Sequence, residues 1–246
     1  ATVPVSALKG WNVVEPATGA GWCGYHGPSL LQILEQLPVT SSDTGLPLAF
    51  PVQWVEKFPS SADTSQGRRV FWGRVASGAV SPGQVIRTMP SGQTAVVAQV
   101  LNHVRQAWAV SAGQSAGIVL DRELDVSRGD WLLAGDAAGD ELQPRREIQA
   151  TVAWLDDEPL QPGRTYWALH GHRWVKARVL RIDHQIDIQT LAEHETAHLV
   201  ANAIGQVRLA LQEPLVTLPF ERARSLGALV LVDTASHRTA GAVLVR

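Results

Sequence analysis

The sequence predicts a mainly β chain, two consecutive β-barrels preceded by a strand-loop-helix segment. Three observations carry this. From Leu48 onward, short runs rich in β-branched and aromatic residues are separated by turn signals roughly every 8–12 residues. A polar break at Gly135–Arg146, rich in Gly, Asp and Ala, interrupts that rhythm, which then restarts. Before Leu48, the spacing of Leu30, Leu31, Ile33, Leu34 and Leu37 fits one face of a helix. The expected division is residues 1–45, a barrel over 46–142 and a barrel over 143–246.

At the N-terminus, Val3–Val5 reads as a short strand and Ser6–Gly10 as a turn. Pro28 falls near the first turn of the helix and Pro38 just past its end, where a fixed φ and a missing N–H are tolerated. A strand and one helix cannot bury an apolar face alone, so the segment either packs on the barrels or belongs to a parent sheet. Thr40–Gly45 reads as the linker. Expected strands of the first barrel are Leu48–Lys57, Arg68–Val80, Gln84–Met89, Thr94–Asn102, Ser115–Leu120 and Asp130–Leu133. Pro82-Gly83, Ser91-Gly92 and Gly113 supply its reversals. The second barrel is expected to use Ile148–Leu155, Thr165–Leu169, Arg173–Ile182, Leu199–Leu211, Leu215–Phe220, Ala228–Asp233 and Thr239–Val245. Within Arg173–Ile182, Val175, Ala177 and Val179 alternate with Trp174, Lys176 and Arg178, the signature of a half-buried strand.

The 246 residues are 45% hydrophobic and 18% charged, a globular balance better divided over two cores than one. A net charge of −2 gives no general attraction for a phosphate backbone or an anionic membrane, so neither nucleic acid nor membrane is an expected partner. No run approaches the roughly 20 apolar residues of a membrane span, and the N-terminus lacks a signal-peptide layout, so a cytoplasmic location is expected. The single cysteine, Cys23, excludes an internal disulfide and reads as a small packing residue beside Trp22. The nine tryptophans read as core residues, Trp11 and Trp22 excepted.

Several clusters could carry chemistry. His194-Glu195-Thr196-Ala197-His198 matches the form in which two histidines one helical turn apart hold zinc and the glutamate activates water. That chemistry needs a helix, a third ligand and a cleft, none of which the flanking sequence offers, so a solvated loop entering the next strand is favoured. His170-Gly171-His172 is more simply a hairpin turn than a chelate. Asp156-Asp157-Glu158 precedes a Pro-Gly turn and reads as exposed charge. Arg145, Arg146, Arg222 and Arg224 could bind phosphate or a partner carboxylate, or form salt bridges between the barrels. A phosphate loop, a guanine-reading Asn-Lys-x-Asp and a G-x-S-x-G elbow are all missing from the sequence.

Val3-Pro4-Val5-Ser6-Ala7-Leu8-Lys9-Gly10 resembles the last guanine-recognition loop of translation-type GTPases. Further landmarks follow in order: Asn12-Val13-Val14, Gly27-Pro28-Ser29-Leu30-Leu31, Phe50-Pro51-Val52-Gln53-Trp54-Val55, Ser77-Gly78 and Pro90-Ser91-Gly92. The second barrel adds Asp125–Asp130, Trp154, Glu158–Arg164, Asp187–Leu191, Asn202–Gly205 and Gly241-Ala242. Together they resemble the large, GTP-binding subunit of bacterial sulfate adenylyltransferase, within the elongation-factor-Tu-like GTPases.

The resemblance implies a C-terminal part lacking most of the GTPase domain, with residues 1–45 the end of that domain and its linker. It also implies a parent enzyme of sulfate assimilation and cysteine biosynthesis, in which GTP hydrolysis drives synthesis of adenylyl sulfate from ATP and sulfate. Implied partners are the small catalytic subunit, the chain's own GTPase domain and, where fused, an adenylyl-sulfate kinase domain. Implied cofactors are GTP and Mg in the GTPase domain, with none in this part. Only Ser6, Ala7 and Leu8 carry over to nucleotide binding; no catalytic residue and no metal ligand does, and this part alone is expected to be inactive. The competing readings are tRNA-binding barrels of a translation elongation factor and, disfavoured, a zinc metalloprotease centred on His194–His198.

Overall fold

The computed structural model describes residues 2–17, 23–37, 42–57, 69–102, 109–135 and 141–246. They fall into two units, Ala1–Thr40 and Ser41–Arg246.

In the first unit, Val3–Val5 forms no strand among the described residues, contrary to expectation; an extended segment without a neighbour has no ladder to join. A single antiparallel bridge, Ser6 to Trp11, closes the turn Ala7–Gly10, where Gly10 takes a φ of 69°. Helix α1 (Leu30–Gln36) follows, capped by Ser29, whose hydroxyl accepts from the Gln32 N–H while the Gln32 side chain accepts from the Ser29 N–H. The Ser29 hydroxyl also donates to the Val14 carbonyl at 2.7 Å, and the Leu30 and Leu31 N–H groups donate to Asn12 and Val13, so Asn12–Val14 satisfies the helix start. The helix has no buried residue, and Leu30, Leu31, Leu34 and Leu37 are all exposed. The leucine face anticipated from the spacing exists, but without a partner among the described residues.

The second unit begins with a 3₁₀ turn, Ser42–Gly45. The first barrel comprises β1 (Ala49–Lys57), β2 (Arg69–Arg74), β3 (Ala79–Val80), β4 (Val85–Met89), β5 (Thr94–Leu101), β6 (Val110–Ser111), β7 (Ser115–Leu120) and β8 (Trp131–Ala134). Six of these close a ring in the order β1-β2-β7-β5-β4-β8, and β3 pairs with β6 beside it. The expected strand Arg68–Val80 is split because Gly78 turns at a φ of +68°, while the Ser77 hydroxyl donates to the Pro47 carbonyl at 2.7 Å.

The second barrel comprises β9 (Pro144–Trp154), β10 (Thr165–His170), β11 (Arg173–Ile186), β12 (Glu193–His194), β13 (Ile204–Val216), the short helix α2 (Arg224–Gly227), β14 (Ala228–Asp233) and β15 (Thr239–Val245). The order β10-β14-β15-β9-β13-β11 closes on itself through β10–β11 pairing, and β12 is appended to β11. Two expected strands, Leu199–Leu211 and Leu215–Phe220, are replaced by the single β13, which passes through Pro214 where its pairing with β9 shifts register. Inward-facing Ile148, Ala150, Val152 and Trp154 of β9 meet Val175, Ala177 and Val179 of β11 in one core.

A third core lies between the barrels. Ala49, Ala76, Trp131 and Leu133 from the first, with Leu142 of the connection that follows it, pack with Val216, Leu218, Ala223 and Leu226 from the second.

Candidate functional site

Two places answer to the residues singled out in the sequence: the turn at Ser6–Leu8 and the seam between the barrels. In the turn, the Ser6 N–H donates to Trp11 at 3.1 Å and the Ser6 hydroxyl accepts from the Lys9 N–H at 3.4 Å. The Ala7 and Leu8 N–H groups make no hydrogen bond among the described residues, and the Leu8 side chain is almost fully exposed. Beneath the turn, buried Asn12 takes a φ of 56°. Its amide donates to the Pro4 carbonyl at 2.9 Å and accepts from the Ala17 N–H at 2.6 Å. Lys9 lies 4.3 Å from the centroid of the Trp11 ring. The arrangement is a held, exposed loop tip with two backbone donors unpaired among the described residues.

At the seam, Arg173 of β11 donates to Asp130 of the first barrel at 2.9 Å and pairs with Glu213 of β13. Burial, its largest influence, pushes the Asp130 carboxyl up, against the pull of the Ser127 N–H and Arg173. Trp131 stacks on His170, with centroids 5.0 Å apart. His170 Nε2 lies 3.2 Å from the Leu226 carbonyl of α2, and burial depresses the imidazole to about 4, so it is neutral at pH 7. Gly129 takes a φ of +96°, and a Cβ there would stand 2.8 Å from the His172 carbonyl. The barrels therefore meet backbone to backbone at this point.

The remaining sequence candidates do not assemble into a reaction centre. His194 is in β12, paired with Gln185 of β11, and Glu195 and His198 follow in an exposed loop, so the two histidines do not share a helix face. Among the described residues no group of three or more His, Cys, Asp or Glu is placed to hold a metal ion. His170 and His172 diverge, one into the seam core and the other partly exposed. Asp156–Glu158 is more than a solvated turn: the Glu158 carbonyl accepts from the Trp154 indole at 2.8 Å and its carboxylate pairs with Arg164. Arg164 in turn reaches Asp233 at 3.0 Å, and the Ser236 and Ala235 N–H groups hold the Asp233 carboxyl below the usual carboxylate range. Arg222 pairs with Glu141, and Arg146 donates to the Gln212 carbonyl at 2.6 Å, so these arginines are structural. Cys23 is exposed, which corrects its reading as a packing residue; Trp22 lies outside the described residues. Trp54 and Trp174, 63% and 50% exposed, are likewise not core residues. The seam pairs Asp130–Arg173 and Trp131–His170 were not anticipated. The available signal was the inward position of His170 in the alternation Tyr166, Ala168, His170 of β10.

No helix among the described residues is long and apolar enough to cross a membrane. Residues 147–246 match a family model described as GTP-eEF1A C-terminal domain-like. In shape the chain is similar to Sup35 complexed with GDP, with a TM-score of 0.72 at 19% identity, covering 98% of this chain and 57% of that one. It is 36% identical over 240 residues to the bifunctional enzyme CysN/CysC of Xylella fastidiosa, covering 98% of this chain and 37% of that protein. It is also 35% identical over 244 residues to sulfate adenylyltransferase subunit 1 of Erwinia tasmaniensis, covering 99% of this chain and 49% of that protein. The chain spans about half the length, or less, of these curated relatives. With two antiparallel barrels sharing a seam and a sequence match running through both, the chain is similar over nearly its whole length to about half of sulfate adenylyltransferase subunit 1.

Proposed function

We propose that this chain is the double-barrel part of a GTP-hydrolysing subunit of sulfate adenylyltransferase, an enzyme of sulfate assimilation in the cytoplasm. The observation that carries the reading is 35% identity to subunit 1 of Erwinia tasmaniensis over 99% of the chain. In this reading residues 1–45 close a nucleotide-binding domain, while 46–142 and 143–246 form the two barrels. Ser6, Ala7 and Leu8 form one edge of the guanine pocket, with the Ala7 and Leu8 N–H groups, unpaired among the described residues, offering donors to the guanine oxygen. GTP and Mg belong to the nucleotide-binding domain, as does the exposed leucine face of α1, which needs a sheet to cover it. The barrels act as the lever: the nucleotide state changes their contacts with that domain and with a small catalytic subunit, which joins ATP and sulfate into adenylyl sulfate. Where the protein is of the CysN/CysC kind, a kinase domain is fused to it.

The test is a chimera joining the N-terminal half of the Erwinia tasmaniensis protein to this chain, co-expressed with the small subunit. GTP-stimulated release of pyrophosphate from ATP and sulfate is expected, and Ala7→Pro, which removes one backbone donor, should raise the GTP concentration needed by about tenfold. A chimera that hydrolyses GTP without accelerating adenylyl sulfate formation would overturn the proposal.

A further inference from the structure

The outward positions of an antiparallel barrel meet water, so its strands ordinarily alternate apolar with polar residues. β11 follows the rule, with Lys176 and Arg178 outward while Val175, Ala177 and Val179 fill the core. Its neighbours β10, β14 and β15 do not. Their inward residues fill the core as expected, yet no outward position on them carries a charge, and Trp167, Leu169, Val230, Ala242 and Leu244 stand there partly exposed.

Strand register joins these residues into a row. Leu169 of β10 is opposite Trp174 of β11 on one side and Val230 of β14 on the other, Val230 is opposite Ala242 of β15, and Ala242 is opposite Ala153 of β9. Five strands thus contribute one unbroken apolar stripe. Four inter-strand spacings of about 4.8 Å give it a span of roughly 19 Å along the barrel wall. Trp167 stands beside the stripe on β10, and Trp174 at its end is 50% exposed. Scattered apolar residues on a surface need no explanation, but a continuous stripe is the mark of an interaction face. Two tryptophans beside cations are the composition found at the centre of protein interfaces.

The charges beside the stripe bear on what covers it. Lys176 lies 5.4 Å from the centroid of the Trp167 ring, Arg178 is the next outward residue of β11, and neither has an ion-pair partner among the described residues. No carboxylate stands outward on β10, β14, β15 or residues 173–180 of β11, so a second copy laid face to face brings no counter-charge. A phosphate backbone would meet hydrocarbon where it needs cations. A different protein, apolar in its centre and acidic at one edge, matches both the stripe and its cations.

We infer that the outer face of β10, β14 and β15 is the docking surface for the small catalytic subunit, which lays apolar side chains on the row from Trp174 to Ala153 and carboxylates against Lys176 and Arg178. This rests on the subunit reading above and gives it a place on the second barrel.

The experiment titrates the small subunit of the Erwinia tasmaniensis enzyme into the ¹⁵N-labelled 246-residue chain and into the chimera. The indole resonances of Trp54, Trp167 and Trp174 are assigned by Trp→Phe variants. Trp167 and Trp174 should shift on binding, while Trp54, as exposed but on the first barrel, should not. Trp174→Ala and Arg178→Glu should each raise the Kd by about tenfold, and Trp54→Ala should leave it unchanged. All three positions are exposed, and unchanged resonances elsewhere report that the variants fold. Binding that moves Trp54 and not Trp174, or that both β11 variants leave intact, overturns the docking face while the subunit reading stands. Shifts of Trp167 and Trp174 with the concentration of the chain alone give the face to a second copy, and shifts on passing from chain to chimera give it to the nucleotide-binding domain; either overturns the inference. A small subunit that binds neither the chain nor the chimera overturns the subunit reading, and the docking face with it.

Discussion

The indole of Trp131, at the start of β8, lies nearly parallel to the imidazole of His170, at the end of β10, with planes inclined by 16° and centroids 5.0 Å apart. These residues are the meeting point of the two barrels, and the histidine is completely buried there.

Burial lowers the His170 pKa from 6.5 to about 4. Between those values the unfolded chain binds a proton that the folded chain refuses. The stability owed to neutral His170 is thus present above pH 6.5 and is lost as pH falls toward 4, by up to roughly 3 kcal/mol. Urea midpoints across that range should fall with acidity in the parent and fall less steeply in His170→Phe, which keeps the stack without the titrating ring.

Arg173 and Asp130 are mostly buried, at 19% and 15% side-chain exposure, so removing one partner strands the other. Arg173→Gln should cost about 2–3 kcal/mol at pH 7. The Asp130 pKa, already raised by burial, should rise further. A raised folded pKa favours folding at low pH, so the variant should recover part of its deficit on acidification. Denaturant titration at two pH values, with the Asp130→Asn/Arg173→Gln double variant, measures this.

Tyr166 is fully buried, its hydroxyl lacks a partner among the described residues, and burial pushes its pKa up to about 12. Tyr166→Phe should therefore leave stability unchanged or raise it by up to about 1 kcal/mol, in contrast to the usual loss on truncating a core tyrosine. Thermal melts decide it.

Gly129 and Gly83 both occupy the left-handed region, with φ of +96° and +85°, but a Cβ at Gly83 meets nothing within 4 Å. Gly83→Ala should cost about 1 kcal/mol from backbone strain alone. Gly129→Ala should cost distinctly more, because it also drives the barrels apart at the His172 carbonyl. Comparing the two variants by denaturant unfolding isolates the close approach.

His194 and His198 sit in extended and loop conformation, so purified protein incubated with zinc and then dialysed should retain far less than one equivalent by elemental analysis. His194→Ala should not change that content.

The barrels were legible because their inner positions follow a strict two-residue period, as in Ile148, Ala150, Val152 and Trp154 of β9. Helix α1 was legible from its leucine spacing, and Ser29 with Gln32 adds a capping box. The break after Arg74 was not, because the turn at Gly78 is held in place by a hydrogen bond from Ser77 to Pro47, distant in sequence. Trp54 and Trp174 were misjudged because strand propensity does not say which side of a strand is covered. The assignment of Ser6, Ala7 and Leu8 to a guanine rests on the resemblance alone; the turn itself was legible from Ser6–Gly10. The seam was illegible: Asp130 and Trp131 are far in the chain from Arg173 and His170, and only the packing of two closed barrels brings them together.

The shared core of Trp131, Leu133, Val216, Leu218 and Leu226 leaves the barrels no joint at which to bend. Two closed rings joined through buried side chains behave like wheels pressed onto one axle. A push at the rim of one is delivered to the other without slack, and whatever grips either ring turns both.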